Sequence, residues 1–299
     1  MKRLAIALAQ YPIDRLSDEA RWRAKTERWV AEGAATGARL LVFPEYGAME
    51  LAALDGARAA RSLSGSIAAV SARLPMQADW LATLAARFGV TIVAPSGPCR
   101  TPEGTYNIAD ILAPGGRRAR VRKAIPTPWE RDPWGIDGDP DGPLVFTVEG
   151  VRVGVCICYD GEFPLIGRRL AQAGAQLILM PSCTETAHGW QRVRLGARAR
   201  ALENQCFAVH TPLIGDAPWC PPVETNTGAA GVWGPPDTGL ADNGLIAEGQ
   251  RDRPGWVHAT LDLTRLETVR EGGGVRGFRD WDAQAGATPL PPARFVALD

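Results

Sequence analysis

Three short segments of the chain share one design, an apolar run that stops on a reactive side chain. Leu40-Leu41-Val42-Phe43-Pro44 leads to Glu45, Val121-Arg122 to Lys123, and Val153-Gly154-Val155-Cys156-Ile157 to Cys158. Short apolar runs of this kind read as buried strands. In open α/β sheets, ligand sites lie beyond the carboxyl ends of the strands. A carboxylate, an ammonium and a thiol gathered there make an acyl-transfer site. A thiol at its ordinary pKa is mostly un-ionised at neutral pH and needs a base. Histidine is the usual one, but His188, His210 and His258 are the only three, and none ends a strand as the three residues above do, although His210 lies close to one. A glutamate serves instead when apolar walls and a neighbouring thiol raise its pKa. A lysine ammonium can hold the negative oxygen of a tetrahedral intermediate, and the backbone N–H after the nucleophile, that of Tyr159, is the natural second donor.

The elements that must position these residues follow from apolar periodicity. Strands are expected over 2–10, 38–43, 90–94, 177–180, 206–210, 229–233 and 256–261. Helices are expected over 20–33, 77–88, 166–173 and 190–204. Residues 106–112 and 119–125 bracket Pro114-Gly115-Gly116, and 144–148 and 151–159 bracket Glu149-Gly150, so both pairs read as hairpins. Residues 126–142 are rich in Pro, Gly and Asp and read as a loop. The alternation fits two mixed sheets with helices on their outer faces, and also a single doubly wound sheet. No linker or short repeat splits the chain. One domain over 1–285 is expected, with a Pro-rich tail over 286–299 that wraps the surface or reaches a partner subunit.

The segments Phe43-Pro44-Glu45, Arg122-Lys123 and Gly154-Val155-Cys156-Ile157-Cys158-Tyr159-Asp160 resemble the glutamate, lysine and cysteine signatures of the nitrilase, or carbon–nitrogen hydrolase, superfamily. Glu162-Phe163-Pro164, Leu177 to Ser182 and Arg198-Ala-Arg-Ala-Leu-Glu-Asn204 follow in the order that family shows, so the resemblance runs over about residues 3–265. It implies an α/β fold, a four-layer αββα sandwich of two mixed β-sheets with outer helices, which forms a homodimer or higher homo-oligomer through those helices. It implies Glu45 as base, Lys123 as oxyanion stabiliser and Cys158 as nucleophile, with no metal or organic cofactor. It also implies a second glutamate shortly after the lysine. Glu130 fits that place, to orient Lys123 and the attacking groups or to share in proton transfer. Tyr159-Asp160 after the nucleophile resembles the amidase and carbamoylase branches, whereas nitrilases more often carry Trp-Glu; a small amide or N-carbamoyl substrate is therefore expected. Phe43 to Leu51 with Pro128 to Arg131 is similar to a branch in which some members are fused to an acetyltransferase domain, for which 299 residues leave no room. Leu165 departs from the family, where many relatives carry Glu.

Plainer readings stand beside these. Alone, Glu45 reads as a surface carboxylate, and Lys123 as one more charge in the basic run of Arg117, Arg118, Arg120 and Arg122. Alternation on a strand puts Cys156 and Cys158 on one face, but no second ligand pair accompanies them for a metal. Loops at strand ends carry specificity, which makes Trp129, Trp134, Trp190 and Trp219 candidate pocket walls; Glu162, Thr184 and His188 are further candidates for substrate contact. With Lys plus Arg and Asp plus Glu at 33 each, the chain has no electrostatic footprint for nucleic acid or an anionic membrane. No apolar stretch reaches the length of a membrane helix, and the run after Met1-Lys2-Arg3 is too short for an export signal. A cytoplasmic protein with reduced cysteines is expected. Nitrile hydrolysis, acyl or amide transfer on the same site, and an inactive scaffold are the alternatives.

Overall fold

The first strand shows how the sequence builds two cores at once. In β1 (Arg3–Pro12), Leu4, Ile6 and Leu8 point into one apolar cluster and Ala7, Ala9 and Tyr11 into another. Both faces are covered, which is why the run is almost continuously apolar rather than alternating. The computed structural model describes residues 2–284 and 293–299.

In chain order, β1 is followed by α1 (Glu19–Ala34), β2 (Leu40–Val42), the short α2 (Ala57–Ala60), α3 (Leu63–Phe88), β3 (Thr91–Val93), β4 (Gly97–Thr101), β5 (Gly104–Leu112), β6 (Arg118–Arg122) and the one-turn α4 (Pro128–Arg131). Then come β7 (Leu144–Val148), β8 (Val151–Val155), α5 (Pro164–Gln172), β9 (Leu177–Ser182), α6 (Ala187–Asn204), β10 (Phe207–Ile214), β11 (Gly231–Trp233), β12 (Leu245–Glu248), β13 (Gly255–Asp262), α7 (Leu263–Gly272) and β14 (Arg294–Val296). Among the described residues the strands form two mixed sheets. One runs β13-β1-β2-β3-β5-β6, with β4 on the same edge of β5 as β3. The other runs β14-β7-β8-β9-β10-β11-β12. They join at their carboxyl ends, where Tyr11 and Pro12 of β1 pair in parallel with Leu213 and Ile214 of β10.

The sheets face each other across Leu4, Ile6, Leu8, Leu40, Val42, Ile111, Val121 and the inward residues of β7 to β10. Helices α1 and α3 cover the outside of the first sheet, and α5 and α6 the outside of the second. This is the four-layer αββα sandwich, not a single doubly wound sheet. In α1, Trp22, Thr26, Trp29, Val30 and Gly33 form the buried stripe, and Asp18 caps it by accepting the Arg21 N–H at 2.9 Å.

Several elements depart from the sequence reading. Helix α3 starts at Leu63 rather than near 77 and runs through Pro75. An interior proline costs about 3 kcal/mol; the unbroken stripe of Ile67, Val70, Leu74, Ala78, Leu81 and Leu84 offsets it by burial. Strand β10 runs to Ile214, so His210 lies in mid-strand. Strands β4, β12 and β14 and helix α7 were not anticipated, and α4 interrupts the expected 126–142 loop. The tail splits: 286–292 lie outside the described residues, while Arg294–Val296 pair in parallel with β7 and Leu298 is buried.

Candidate active site

Glu45 and Lys123 extend strands of the first sheet, and Cys158 extends one of the second. Beyond β2, Phe43 still bonds the Val93 carbonyl (3.0 Å) before Pro44 ends the ladder and Glu45 turns inward. Beyond β6, the Lys123 N–H bonds the Asn107 carbonyl (2.9 Å), so its side chain leaves from the last rung of the β5–β6 pairing. Beyond β8, Cys156 and Ile157 lead into a 3-10 turn over Cys158–Glu162, and Cys158 takes a left-handed φ of 49°. Such a backbone is rare for a non-glycine residue and is found where a fold over-determines it. The expectation that Cys156 and Cys158 share a strand face is corrected: the strand ends at Val155, Cys156 stays in the core, and Cys158 turns to a cavity.

Helix α6 presses on this turn. A Cβ on Gly196 would stand 2.8 Å from the Gly161 carbonyl oxygen, so only glycine permits the approach. Arg200 Nη1 donates to that same oxygen at 2.9 Å. Asp160, one turn on, accepts from the backbone N–H groups of Ala124 (3.1 Å), Ile125 (2.8 Å) and Ile157 (3.1 Å).

Glu45 and Lys123 are each 1% exposed. Lys123 Nζ donates to Glu45 Oε1 at 2.7 Å and to Glu130 Oε2 at 2.6 Å. Thr127 caps α4 in a capping box with Glu130, and the Thr127 N–H donates to Glu130 Oε2 at 2.7 Å. Glu130 Oε1 accepts the Tyr46 hydroxyl at 2.6 Å. The Asn107 side-chain NH2 reaches both carboxylates, Glu45 Oε1 at 3.0 Å and Glu130 Oε1 at 3.4 Å. Cys183 brackets the Glu45 carboxylate and the Cys158 thiol through its backbone: its N–H donates to Glu45 Oε2 at 2.9 Å, and its carbonyl lies 3.8 Å from Cys158 Sγ.

The electrostatics follow from burial and pairing. Burial pushes Glu45 up to about 7; Lys123 opposes it and Glu130 adds to it. Burial, then the Glu45 charge, hold the Cys158 thiol well above its ordinary value, so it rests protonated. Burial alone would lower Lys123, but the carboxylates of Glu45 and Glu130 outweigh it and raise the ammonium well above the usual range. For Glu130, burial is outweighed by Lys123, Tyr46 and Thr127, and the carboxyl is lowered.

These groups line one cavity of about 520 Å³. Of the residues expected at substrate, Trp129, Trp134, Glu162 and Thr184 line it too, as does Tyr159, whose backbone N–H was expected at the oxyanion; Trp219 lies off it. His188 and Trp190 do not line it either: His188 is exposed on the first turn of α6, and Trp190 turns away to donate its indole N–H to the Ala229 carbonyl (3.1 Å). His210 is buried against Trp233, and burial takes it down to about 3. Arg192 reaches the cavity and pairs with Glu162 at 3.2 Å. Sequence reasoning missed Asn107, Tyr46 and Cys183, and gave Asp160 no role. The available signal for Asn107 was a polar residue inside an otherwise apolar strand; for Tyr46 and Cys183 there was none.

A family model described as carbon-nitrogen hydrolase matches residues 5–228, and the chain belongs to that family. A probable hydrolase, YhcX, of Bacillus subtilis is 33% identical over 197 residues, which are 66% of this chain and 38% of that protein. A deaminated glutathione amidase of Synechocystis sp. is 30% identical over 206 residues, 64% of this chain and 71% of that protein. Against the first relatives the chain thus matches less than two thirds of their length: 38% for YhcX and 60% for a hydrolase of Pseudomonas protegens. Among solved structures, a carbon-nitrogen hydrolase of Helicobacter pylori G27 aligns with a TM-score of 0.73 at 17% identity, over 90% of this chain and 92% of that one. An amidase of Nesterenkonia sp. AN1 aligns with a TM-score of 0.69 at 23% identity, over 93% and 99%. Both share the fold. No helix among the described residues is long and apolar enough to cross a membrane.

Proposed function

We propose that the chain hydrolyses the carbon–nitrogen bond of a small amide or N-carbamoyl compound through a thioester on Cys158. The observation that carries this reading is the meeting of Glu45 and Lys123 from one sheet with Cys158 from the other, at a single cavity. The amidases among its relatives support the amide class.

Glu45 takes the Cys158 proton as the sulfur attacks the carbonyl carbon. The C=O electron pair moves onto oxygen, and that oxyanion accepts from the Lys123 ammonium and the Tyr159 N–H. The intermediate collapses: the C–N bond breaks, Glu45 returns its proton to nitrogen, and ammonia or an amine leaves. Water then attacks the thioester carbon while Glu45 accepts its proton. The C–S bond breaks, the thiol is re-formed with that proton, and the acid departs. Glu130 holds the second side of Lys123 throughout. A base near pH 7 suits both halves, because it must be ionised to start and acidic enough to protonate a leaving nitrogen.

The test is ammonia or amine release from primary amides, N-carbamoyl amino acids, ω-amides and nitriles, with Cys158→Ala beside the wild type and mass spectrometry for the acylated thiol. Release from amides or carbamoyl compounds that the variant abolishes supports the reading. Release from nitriles alone, or product only when an amine acceptor is added, replaces it with nitrile hydrolysis or acyl transfer. No turnover, with a Cys158 that resists alkylation, would favour an inactive scaffold.

The outer helices support a homo-oligomer in the same terms. Leu165 on α5 and Leu195 and Leu202 on α6 are large, apolar and exposed on the outer helices. Light scattering on the purified chain checks it; a monomer at micromolar concentration would rule it out.

A further inference from the structure

Asn107 stands where β5 should be apolar. Its neighbours Tyr106, Ile108 and Ala109 are core residues, and Asn107 itself is fully buried. A buried amide must be satisfied or it destabilises the fold. Here the NH2 group is shared by Glu45 and Glu130, at 3.0 and 3.4 Å, while Oδ1 has no partner among the described residues. Turning the amide over would aim an oxygen at two carboxylates, so the chemistry fixes its orientation. The fold therefore tolerates an unpaired oxygen to keep a donor between two acids, and an unsatisfied buried group of this kind points to a working role. The backbone of the same residue accepts the Lys123 N–H at 2.9 Å. One residue thus touches the base, the second glutamate and the lysine.

We propose that Asn107 is a positioning residue for the reaction, its NH2 group separating the Glu45 and Glu130 carboxylates and holding Glu45 toward Cys158. This rests on Glu45 acting as the base for Cys158. The groups that face Glu45 are Lys123 and Asn107 beyond and on the β6–β5 hairpin, Glu130 from α4 with Tyr46 behind it, Cys158 from the turn after β8, and Cys183 after β9. Lys123 is already shared with Glu130, so among the described residues the amide is, besides the Cys158 thiol, the side-chain donor left to the Glu45 carboxylate. Without it the ionised carboxylate loses a hydrogen bond, and its protonated form is favoured.

The experiment uses iodoacetamide as the probe and follows alkylation of Cys158 by mass spectrometry against pH. Asn107→Leu keeps the volume and removes the donor; Asn107→Asp keeps the shape and adds a third carboxylate. Asp110→Asn, on the same strand but paired with Arg120 away from the cavity, is the control for a loosened β5. The midpoint of the rise in alkylation rate should move up by about one to two pH units in Asn107→Leu, the worth of one hydrogen bond to a charged group. It should move further in Asn107→Asp and stay in place in Asp110→Asn. A midpoint unmoved in Asn107→Leu, or moved equally in Asp110→Asn, overturns the proposal, as does failure of both Asn107 variants to fold. If Glu45→Gln alkylates with the wild-type pH profile, the assignment of Glu45 as base fails instead, so the two readings fail separately.

Discussion

The Asp160 carboxylate accepts the Ile125 N–H at 2.8 Å, a bond that ties the turn carrying Cys158 to the loop that follows Lys123. The same carboxylate takes the Ala124 and Ile157 amides, so one buried side chain sets the spacing between the Cys158 turn and the segment after Lys123. Reacting groups misplaced by about 1 Å can lose 10²-fold in rate.

Asp160→Ala should therefore damage activity and stability together. It leaves the buried Ile157 amide and the half-buried Ala124 and Ile125 amides without their acceptor, which is expected to lower stability by about 2–5 kcal/mol and kcat/KM by about 10²-fold. Thermal melts and steady-state rates check this. Wild-type values for both would show that the bridge is idle.

Lys123→Met strips the cation from between Glu45 and Glu130. Two buried carboxylates then face each other, at a cost of about 3–5 kcal/mol. In the proposed reaction an oxyanion donor is also lost, which adds a fall in turnover of at least about 10²-fold. Lys123→Arg should not restore the rate, because a planar fork cannot replace a point donor bonded at 2.7 and 2.6 Å on two sides. A fully active Arg variant would remove Lys123 from the oxyanion role.

The pH profile follows from Glu45, held at about 7 by burial against the pull of Lys123. In the proposed reaction Glu45 must be ionised to accept the thiol proton, so kcat/KM should fall about tenfold per unit below pH 7. The folded chain binds that proton more tightly than the unfolded one does. Its stability should accordingly rise as pH drops from about 7 toward the ordinary carboxylate range; Glu45→Gln should remove the Glu45 share of that gain and leave the share of Asp160, which burial also pushes up to about 7. An acid limb centred near pH 4.5 would mean that Glu45 is not the titrating base.

Trp129 is 71% exposed on the rim of the cavity. Trp129→Ala should leave stability within about 0.5 kcal/mol and raise KM several-fold with kcat unchanged, the signature of lost uniform binding. A fall in kcat with KM constant would place the indole against the reacting centre.

Much of this was legible in the residues themselves. Glu45, Lys123 and Cys158 each follow an apolar run, and the rule that sites lie beyond strand ends is enough to bring them together. Glu130 needed the resemblance to a family, because nothing in Pro128-Trp129-Glu130 says which way a one-turn helix aims its carboxylate. His188 and Trp190 illustrate the limit: a loop expected to continue to Trp190 became helix at Ala187, and the helical rotation turned both side chains off the cavity. The contacts of Tyr46 and Cys183 depend on a φ of 55° and on a backbone N–H, which no side-chain pattern encodes.

The split of the site between two sheets has a consequence for the life of the chain. Glu45 and Lys123 are laid down early, Cys158 later, and the first sheet is closed only when β13 returns to pair with β1 along its whole length. In the proposed reaction, a half-assembled chain carries a thiol without a base and a base without a thiol. Reactivity would then be withheld until the sandwich shuts, a latency built into topology that needs no removable segment to enforce it.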